Sequence, residues 1–411
     1  MAITLRQRIG RLLGLVPAVE LEAKASLTAK LIALQSCGQP IWTPRDFAAL
    51  AREGFAKNAV VYRAVRMISE AAASVPLFLF QGEAEIDTHP LLKLLAKPNP
   101  AQCAPDLFEA WYGHLLVAGN AYLEAVSVGD RLRELHVLRP DRMKVVPGPD
   151  GWPDAYDYTV GGQTVRFQQD AGAPPILHMA LFHPLNDHYG MSPLEAAAAS
   201  IDIHNASGAW NKALLDNSAC PSGALVYTAK DGQFTPEQFE RLKAELEESF
   251  QGAKNAGRPL LLEGGLDWKA MAFSPKDMDF IAAKHTAARE VALALGVPPM
   301  LLGIPGDNTY ANYAEANRTF WRQTVLPIVN RTAKALSGWL GGAFGGEPGA
   351  AALELRPDLD AVEALSTERE ALWERVRRSD FLTVNEKRAA VGYSAIEGGD
   401  GLAVDSRAVN A

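Results

Sequence analysis

The hexapeptide HPLNDH gathers His183, Asp187 and His188, side chains that ligate zinc or serve as general acid and base. Converging two imidazoles and a carboxylate on one ion needs a regular helix face or strand edge. Pro184 puts these three in a loop instead, and no HExxH accompanies them. Histidines that hydrogen-bond within their own loop are the plainer reading. His285 falls on a helical seam, where an imidazole packs more readily than it acts as a base. The EGGLD and EGGD stretches read as turns. The chain contains no GxSxG elbow, no GxxxxGK[ST] phosphate loop and no GxGxxG after a strand. No catalysis, cofactor or metal is expected.

A second stretch, GIPGDNTYANYAEANRTFW from Gly303 to Trp321, interrupts two segments of helical pattern. On a helix, Tyr310 and Tyr313 would be neighbours packing into a core; in a loop they would offer stacking or edge contacts. Gly306, Asp307 and Asn308 supply turn chemistry just before them, which favours the loop. Arg318, the nearest cation, has two readings of equal standing: a contact to a passing ligand or a helix-surface ion pair with Glu315. The stretch suits an active-site lid, or a loop projected toward another molecule.

Composition narrows the classes. The 411 residues make two or three packed units, and 48% apolar with 21% charged residues is ordinary for a globular chain. No apolar run reaches the roughly 18–20 residues a membrane span needs. A net charge of −8 argues against tight phosphate binding, which relies on clustered Lys and Arg. Cys37, Cys103 and Cys220 are few, odd in number and far apart, the usage of a reducing compartment. The N-terminal MAITLRQRIGRLLGLV, basic through Arg6, Arg8 and Arg11, suits an amphipathic basic segment or a transit peptide and has no signal-cleavage pattern; a mobile arm or peripheral helix is the plainer reading.

The elements that must position these residues follow from periodicity. A helix is predicted over Asn58–Val75, with Val61, Val65, Ile68 and Ala72 on one face and Pro76 ending it before the strand LFLF. DLFEAWYGHLLVAG is a second helix, closed by Gly119. From Ala121 to Leu181, short β-like runs alternate with Gly, Pro and Asp turns. Ser192, Pro193 and Glu195 start a helix of about 25 residues, roughly 37 Å long, through Ile201 and Trp210. Thr235, Pro236 and Gln238 repeat the device, as do Ser274, Pro275 and Asp277. The last of these opens a helix with Met278, Ile281, His285, Ala288, Ala292 and Leu295 along a narrow seam, stopped by Gly296 and Pro298–Pro299. Between the two long helices, GALVYT, PLLLEGG and LDWKAM read as strands around the TPEQ helix. A further helix shows Trp321, Val325, Ile328, Thr332, Ala335 and Trp339 on one side and is kinked by Pro327. GGAFGGEPGAAA is a flexible break after it. The tail from Ser366 is helical and ends with a Thr383–Glu386 capping box and Gly392. The fold class is α+β.

Eight stretches taken together resemble the portal proteins of long-tailed double-stranded-DNA bacteriophages, the Hong-Kong-97-like group. They are NAVVYRAVRMISEAAASVPLFLF, HPLLKLLAKPNP, AGNAYLE, LRPDRMKVV, GMSPLEAAAASI, NSACPSGAL, LGVPPMLLG and LTVNEKRAAVGYSAIEGGD, in the family's order. A phage-derived gene transfer agent would carry the same kind of protein. The resemblance implies a portal fold: N-terminal arm 1–39, α/β wing 40–190, stem helices 191–220 and 274–296, a small α/β clip 221–273 between them, tunnel-loop region 297–312, kinked wing helix 313–350 and a short crown 351–411. It implies a homo-oligomeric ring, a dodecamer in assembled particles, at one capsid vertex of the virion. The ring would be assembled in the bacterial host cytoplasm, with no membrane involved. Double-stranded DNA would pass through it without sequence specificity, and terminase large subunit, head-tail connector or adaptor protein and major capsid protein would be its partners. The residues expected to face DNA are Gly306, Asp307, Asn308, Thr309, Tyr310, Asn312 and Arg318, with the helix beginning at Tyr313. Lys243, Glu245, Glu247 and Glu248 would dock partners at the clip. Ile201, Trp210, Met278, Ile281, His285 and Ala288 would pack the stem.

Overall fold

The computed structural model describes residues 42–129, 131–169, 174–216, 223–227, 235, 237, 240–241, 266–270, 280–306, 310–344 and 351–402. Thr43–Ala411 forms one unit and Met1–Trp42 another. The larger unit is mixed α+β. Helix α1 (Phe47–Ala49), capped by the Asp46 carboxylate, runs on as a π-turn over Leu50–Ala56. Helix α2 (Ala59–Ala73) starts at Asn58, whose side-chain oxygen accepts the amides of Val60 and Val61. Its predicted face is the buried one: Val61, Val65, Ile68 and Ala72. Strand β1 (Leu77–Gln81) follows Pro76 and pairs antiparallel with the short β2 (Ala84–Glu85) and with β11 (Leu353–Pro357). After α3 (Pro90–Ala96) comes α4 (Ala104–Ala118), which packs on α2 and buries Leu107, Trp111, Leu115 and Val117. It ends at Gly119, in the left-handed region at φ 71°.

Two three-stranded antiparallel sheets follow. One joins β3 (Asn120–Val128) to β4 (Arg131–Leu138) and β8 (Ile176–Ala180); the other orders β5 (Met143–Pro147), β6 (Pro153–Val160) and β7 (Gln163–Gln168). The chain then returns past the end of α4 at a close backbone crossing. A Cβ on Gly190 would lie 2.1 Å from the Gly119 carbonyl oxygen and 2.4 Å from the Leu181 nitrogen. Only glycine fits there.

Ser192 caps α5 (Pro193–Ala196); its hydroxyl accepts the Leu194 amide and donates to the Leu116 carbonyl of α4. The helix expected to run unbroken from here is in two pieces. Ala197 (φ −88°, ψ 2°) turns the chain before α6 (Ala198–Asp216), because the first piece is held against α4 by Ser192 and by the fully buried Leu194. Strands β9 (Gly223–Tyr227) and β10 (Leu266–Ala270) pair antiparallel, as two of the predicted runs. The predicted PLLLEGG strand lies outside the described residues, as does most of the TPEQ helix.

Helix α7 (Phe280–Ala294) lies beside α6 and buries Ala287, Ala288, Val291 and Ala292, with Leu295 beyond its end. The predicted seam holds for Ala288, Ala292 and Leu295. Ile281, on the same seam, is 71% exposed in the single chain. Helix α8 (Tyr310–Phe320) leads through a π-turn (Trp321–Val325) into α9 (Leu326–Phe344). Pro327 distorts this helix by widening it: the Leu326 amide reaches back to the Trp321 carbonyl. The extra residue in that turn advances the buried face by one position. Val329, Leu336 and Leu340 are buried where Ile328, Ala335 and Trp339 were expected, while Val325 and Thr332 keep their places. The last described helices are α10 (Ser366–Arg377) and α11 (Val384–Val391), the latter with its Thr383–Glu386 capping box and Gly392 at φ 95°. Among the described residues no helix is long and apolar enough to cross a membrane.

Candidate functional site

The two long helices and the segment joining α7 to α8 carry most of the predicted site. Trp210 of α6 stacks on Phe280 of α7, with ring centroids 4.2 Å apart. Ten residues along each helix, about 15 Å away, the Ser200 hydroxyl meets the Glu290 carboxylate at 2.5 Å. Ile201 and Ala288 are buried and His285 is half-buried; Met278 lies outside the described residues.

The pair is fastened to the rest of the unit through Asn58. Its oxygen caps α2, and its amide nitrogen reaches His204 Nδ1 at 3.1 Å and Asn205 Oδ1 at 3.0 Å, both on α6. Asn205 in turn donates to the Glu53 carbonyl at 2.8 Å. Burial lowers the His204 pKa, and Lys284 and His285 push it the same way, so its ring is neutral and accepts the Asn58 bond. Sequence reading placed Asn58 at a helix start but had no signal for this reach across 146 positions.

The joining segment is anchored where it leaves α7. Gly296 (φ 68°) turns the chain, and the Thr324 hydroxyl donates to its carbonyl at 2.5 Å. Ile304 is buried with Ala288 and Ala292 in a small cluster against which Val60 of α2 packs. Beyond it the Arg289 guanidinium donates to the Pro305 carbonyl and lies against Gly306, where an added Cβ would stand 2.6 Å from Nη2. Arg289 was not singled out by sequence. Its role depends on the fold-back at Gly296 and Gly303 that brings Pro305 beside it.

Asp307, Asn308 and Thr309 lie outside the described residues. Tyr310, read as loop, is the first residue of α8, three positions before the expected helix start. The Ala-rich YANYAEANR run with its Glu315–Arg318 pair favours helix over turn from there on. Asn312 and Tyr313 are therefore helical and exposed, and Gly306 is exposed. Arg318 forms the ion pair with Glu315, at 2.9 Å. The four clip residues, Lys243, Glu245, Glu247 and Glu248, lie outside the described residues.

The HPLNDH loop is held by its own hydrogen bonds. His183 Nδ1 accepts the Leu185 amide at 3.0 Å, and Asn186 Oδ1 accepts those of His188 and Tyr189 at 2.9 Å. No group of three His, Cys, Asp or Glu side chains suited to a metal occurs among the described residues. The candidate site is thus built from two helices packed side by side, the Asn58 tie between α2 and α6, and the anchored segment after α7.

Comparison with known proteins gives this architecture its relatives. The family model described as phage portal protein matches residues 59–392, from α2 through α11. An uncharacterized protein of Rickettsia bellii is 42% identical over 85% of this chain and 90% of its own length. The portal protein of Enterobacteria phage HK97 is 25% identical over 83% of this chain and 80% of its own. Among solved structures, a chain in the neck of a native gene transfer agent (GTA) particle, computed with C12 symmetry, is 53% identical, with TM-score 0.66. It covers 90% of this chain and all of that one. An HK97-family phage portal protein from Corynebacterium diphtheriae, 18% identical with TM-score 0.54 over 78% of this chain and 96% of its own, shares the fold.

Proposed function

The chain belongs to the phage portal protein family, a structural and non-catalytic family, and from that premise we propose that copies of it close a twelve-fold ring in the neck of a gene-transfer-agent or phage particle. The ring is the conduit through which double-stranded DNA enters and leaves. The observation that carries the reading is the family match across residues 59–392, which takes in both long helices and the segment between α7 and α8. Identity above 50% to chains of a GTA neck and virion favours a gene transfer agent over an infectious phage.

In this reading α6 and α7 form the stem, and the segment they frame is the clip, whose Lys243, Glu245, Glu247 and Glu248 meet terminase or the connector. The body from 40 to 190 with residues 313–350 is the wing, which faces the major capsid protein, and residues 351–411 form the crown. The segment from Gly306 to Asn312 faces the DNA. A conduit must let the polymer slide both ways, so cations gripping phosphates would act as a brake. The net charge of −8 and the engagement of Arg318 by Glu315 suit a lining that touches lightly. Ring closure needs two dissimilar complementary surfaces on every copy.

Native mass measurement and electron microscopy of the purified protein test the proposal. Annular particles of about twelve copies are expected; a chain that stays monomeric under assembly conditions overturns it. Deleting 307–311 should leave rings intact and reduce DNA-filled particles, and normal filling would remove the DNA-facing role from that segment.

A further inference from the structure

Among the described residues, the C-terminal helices bury little of their own surface. α10 buries Val376 alone and α11 buries no residue. An eight-residue helix isolated in water is marginal even with good caps, because helical stability comes mostly from packing one face. Between the two helices runs an open groove of about 970 Å³ whose apolar lining includes Trp373, Val384, Val391 and Tyr393. Trp373 remains 46% exposed, and Phe381, in the turn between the helices, is 78% exposed.

The groove is built rather than loose. Arg369 donates to the Val391 carbonyl at 2.6 Å and pairs with Asp360, which also accepts the Tyr393 hydroxyl at 3.2 Å. Arg388 donates to the Ser394 carbonyl at 2.7 Å, and Trp373 meets Tyr393 edge-on at 5.7 Å. Its aromatic rings are thus held in place while facing water, an arrangement that a bound partner would repay by excluding that water.

We propose that a second copy of this chain fills the groove, each copy presenting its Phe381 turn to the Trp373–Tyr393 groove of the next. This rests on the ring reading above. Three observations favour a copy over another protein. Helices that lack a core of their own need cover in every chain, and an identical neighbour always supplies it. The groove carries both signs, Glu370 and Glu374 from α10 with Lys387 and Arg388 from α11, which suits a partner of the same composition. A projecting aromatic and an open groove within one short segment are the two unlike halves of a head-to-tail contact, the kind that closes a ring.

Hydrogen exchange on the full-length protein tests this, comparing assembled rings with chains dissociated by dilution. Amides of 366–392 should exchange roughly tenfold slower in rings. Phe381→Ser should shift ring dissociation to roughly tenfold higher protein concentration without changing far-ultraviolet circular dichroism. Rings whose 366–392 amides exchange as fast as those of free chains overturn the proposal, and so does protection that arises only when a coat or connector protein is added. Absence of rings from the unsubstituted protein would overturn the ring reading first, and this contact with it.

Discussion

Trp210 and Phe280 lie stacked with ring centroids 4.2 Å apart and planes 27° apart, where the outgoing and returning long helices run side by side. Trp210→Ala should lower stability by about 1–3 kcal/mol, the range for losing a half-buried aromatic partner. Urea denaturation measures the loss, and Trp210→Phe should recover most of it. An unchanged midpoint for the alanine variant would show that the stack contributes nothing.

Asn58 is 1% exposed and serves both as cap of α2 and as tie to α6. Asn58→Ala removes the cap and leaves His204 and Asn205 short of a partner, a combined cost of about 2–4 kcal/mol. Asn58→Asp keeps the cap but loses the amide donor. It should fall between the two, and it should stabilise relative to Asn58→Ala as pH falls and His204 takes up a proton to meet the carboxylate. Thermal melts at two pH values read this out.

Arg289 fixes the start of the segment that leads to α8, so its loss should act locally. In Arg289→Ala, amides of 303–306 should exchange faster while rings still assemble. Gly306→Ala should give the same phenotype by another route, since its methyl would displace the guanidinium from the Pro305 carbonyl. If Arg289→Ala particles fill with DNA as well as unsubstituted ones, the anchoring is irrelevant to passage.

Burial holds two histidines neutral. The His178 pKa is lowered to about 4 by burial, with His188 adding to the effect. That of His114 is lowered to about 4 by burial and by nearby Arg139. His178 is stacked on Tyr122 at 4.2 Å and hydrogen-bonded through Nε2 to Asn120 at 3.0 Å. The unfolded chain protonates these rings near pH 6.5 and the folded one only near 4, so protons favour the unfolded state across that window. Each histidine contributes its full stability above pH 6.5 and loses up to roughly 3 kcal/mol of it as pH falls to 4. His178→Gln should flatten the slope of stability against pH between those limits; an unaltered slope would mean that His178 does not titrate with unfolding.

The sequence by itself determined the local elements. Apolar spacing placed α2 and α4, capping chemistry placed Ser192 and Thr383, and glycine marked the helix ends at Gly119, Gly296 and Gly392. These depend on residues within a turn or two of each other, the range over which propensity and periodicity act. Family membership was legible for the same reason, since it rests on short motifs in a fixed order. Tertiary structure decided the rest. The π-turn before Pro327 rotated the buried face of α9 by one residue, and the pull of α4 on Ser192 divided the first long helix. Helix α8 began at Tyr310 because a helix-favouring run outweighed the turn residues before it. The contacts that position the candidate site, Asn58 with His204 and Arg289 with Pro305, join groups far apart in sequence or brought together by a fold-back. No periodicity encodes such a meeting; it exists only once the packed elements fix where each side chain ends.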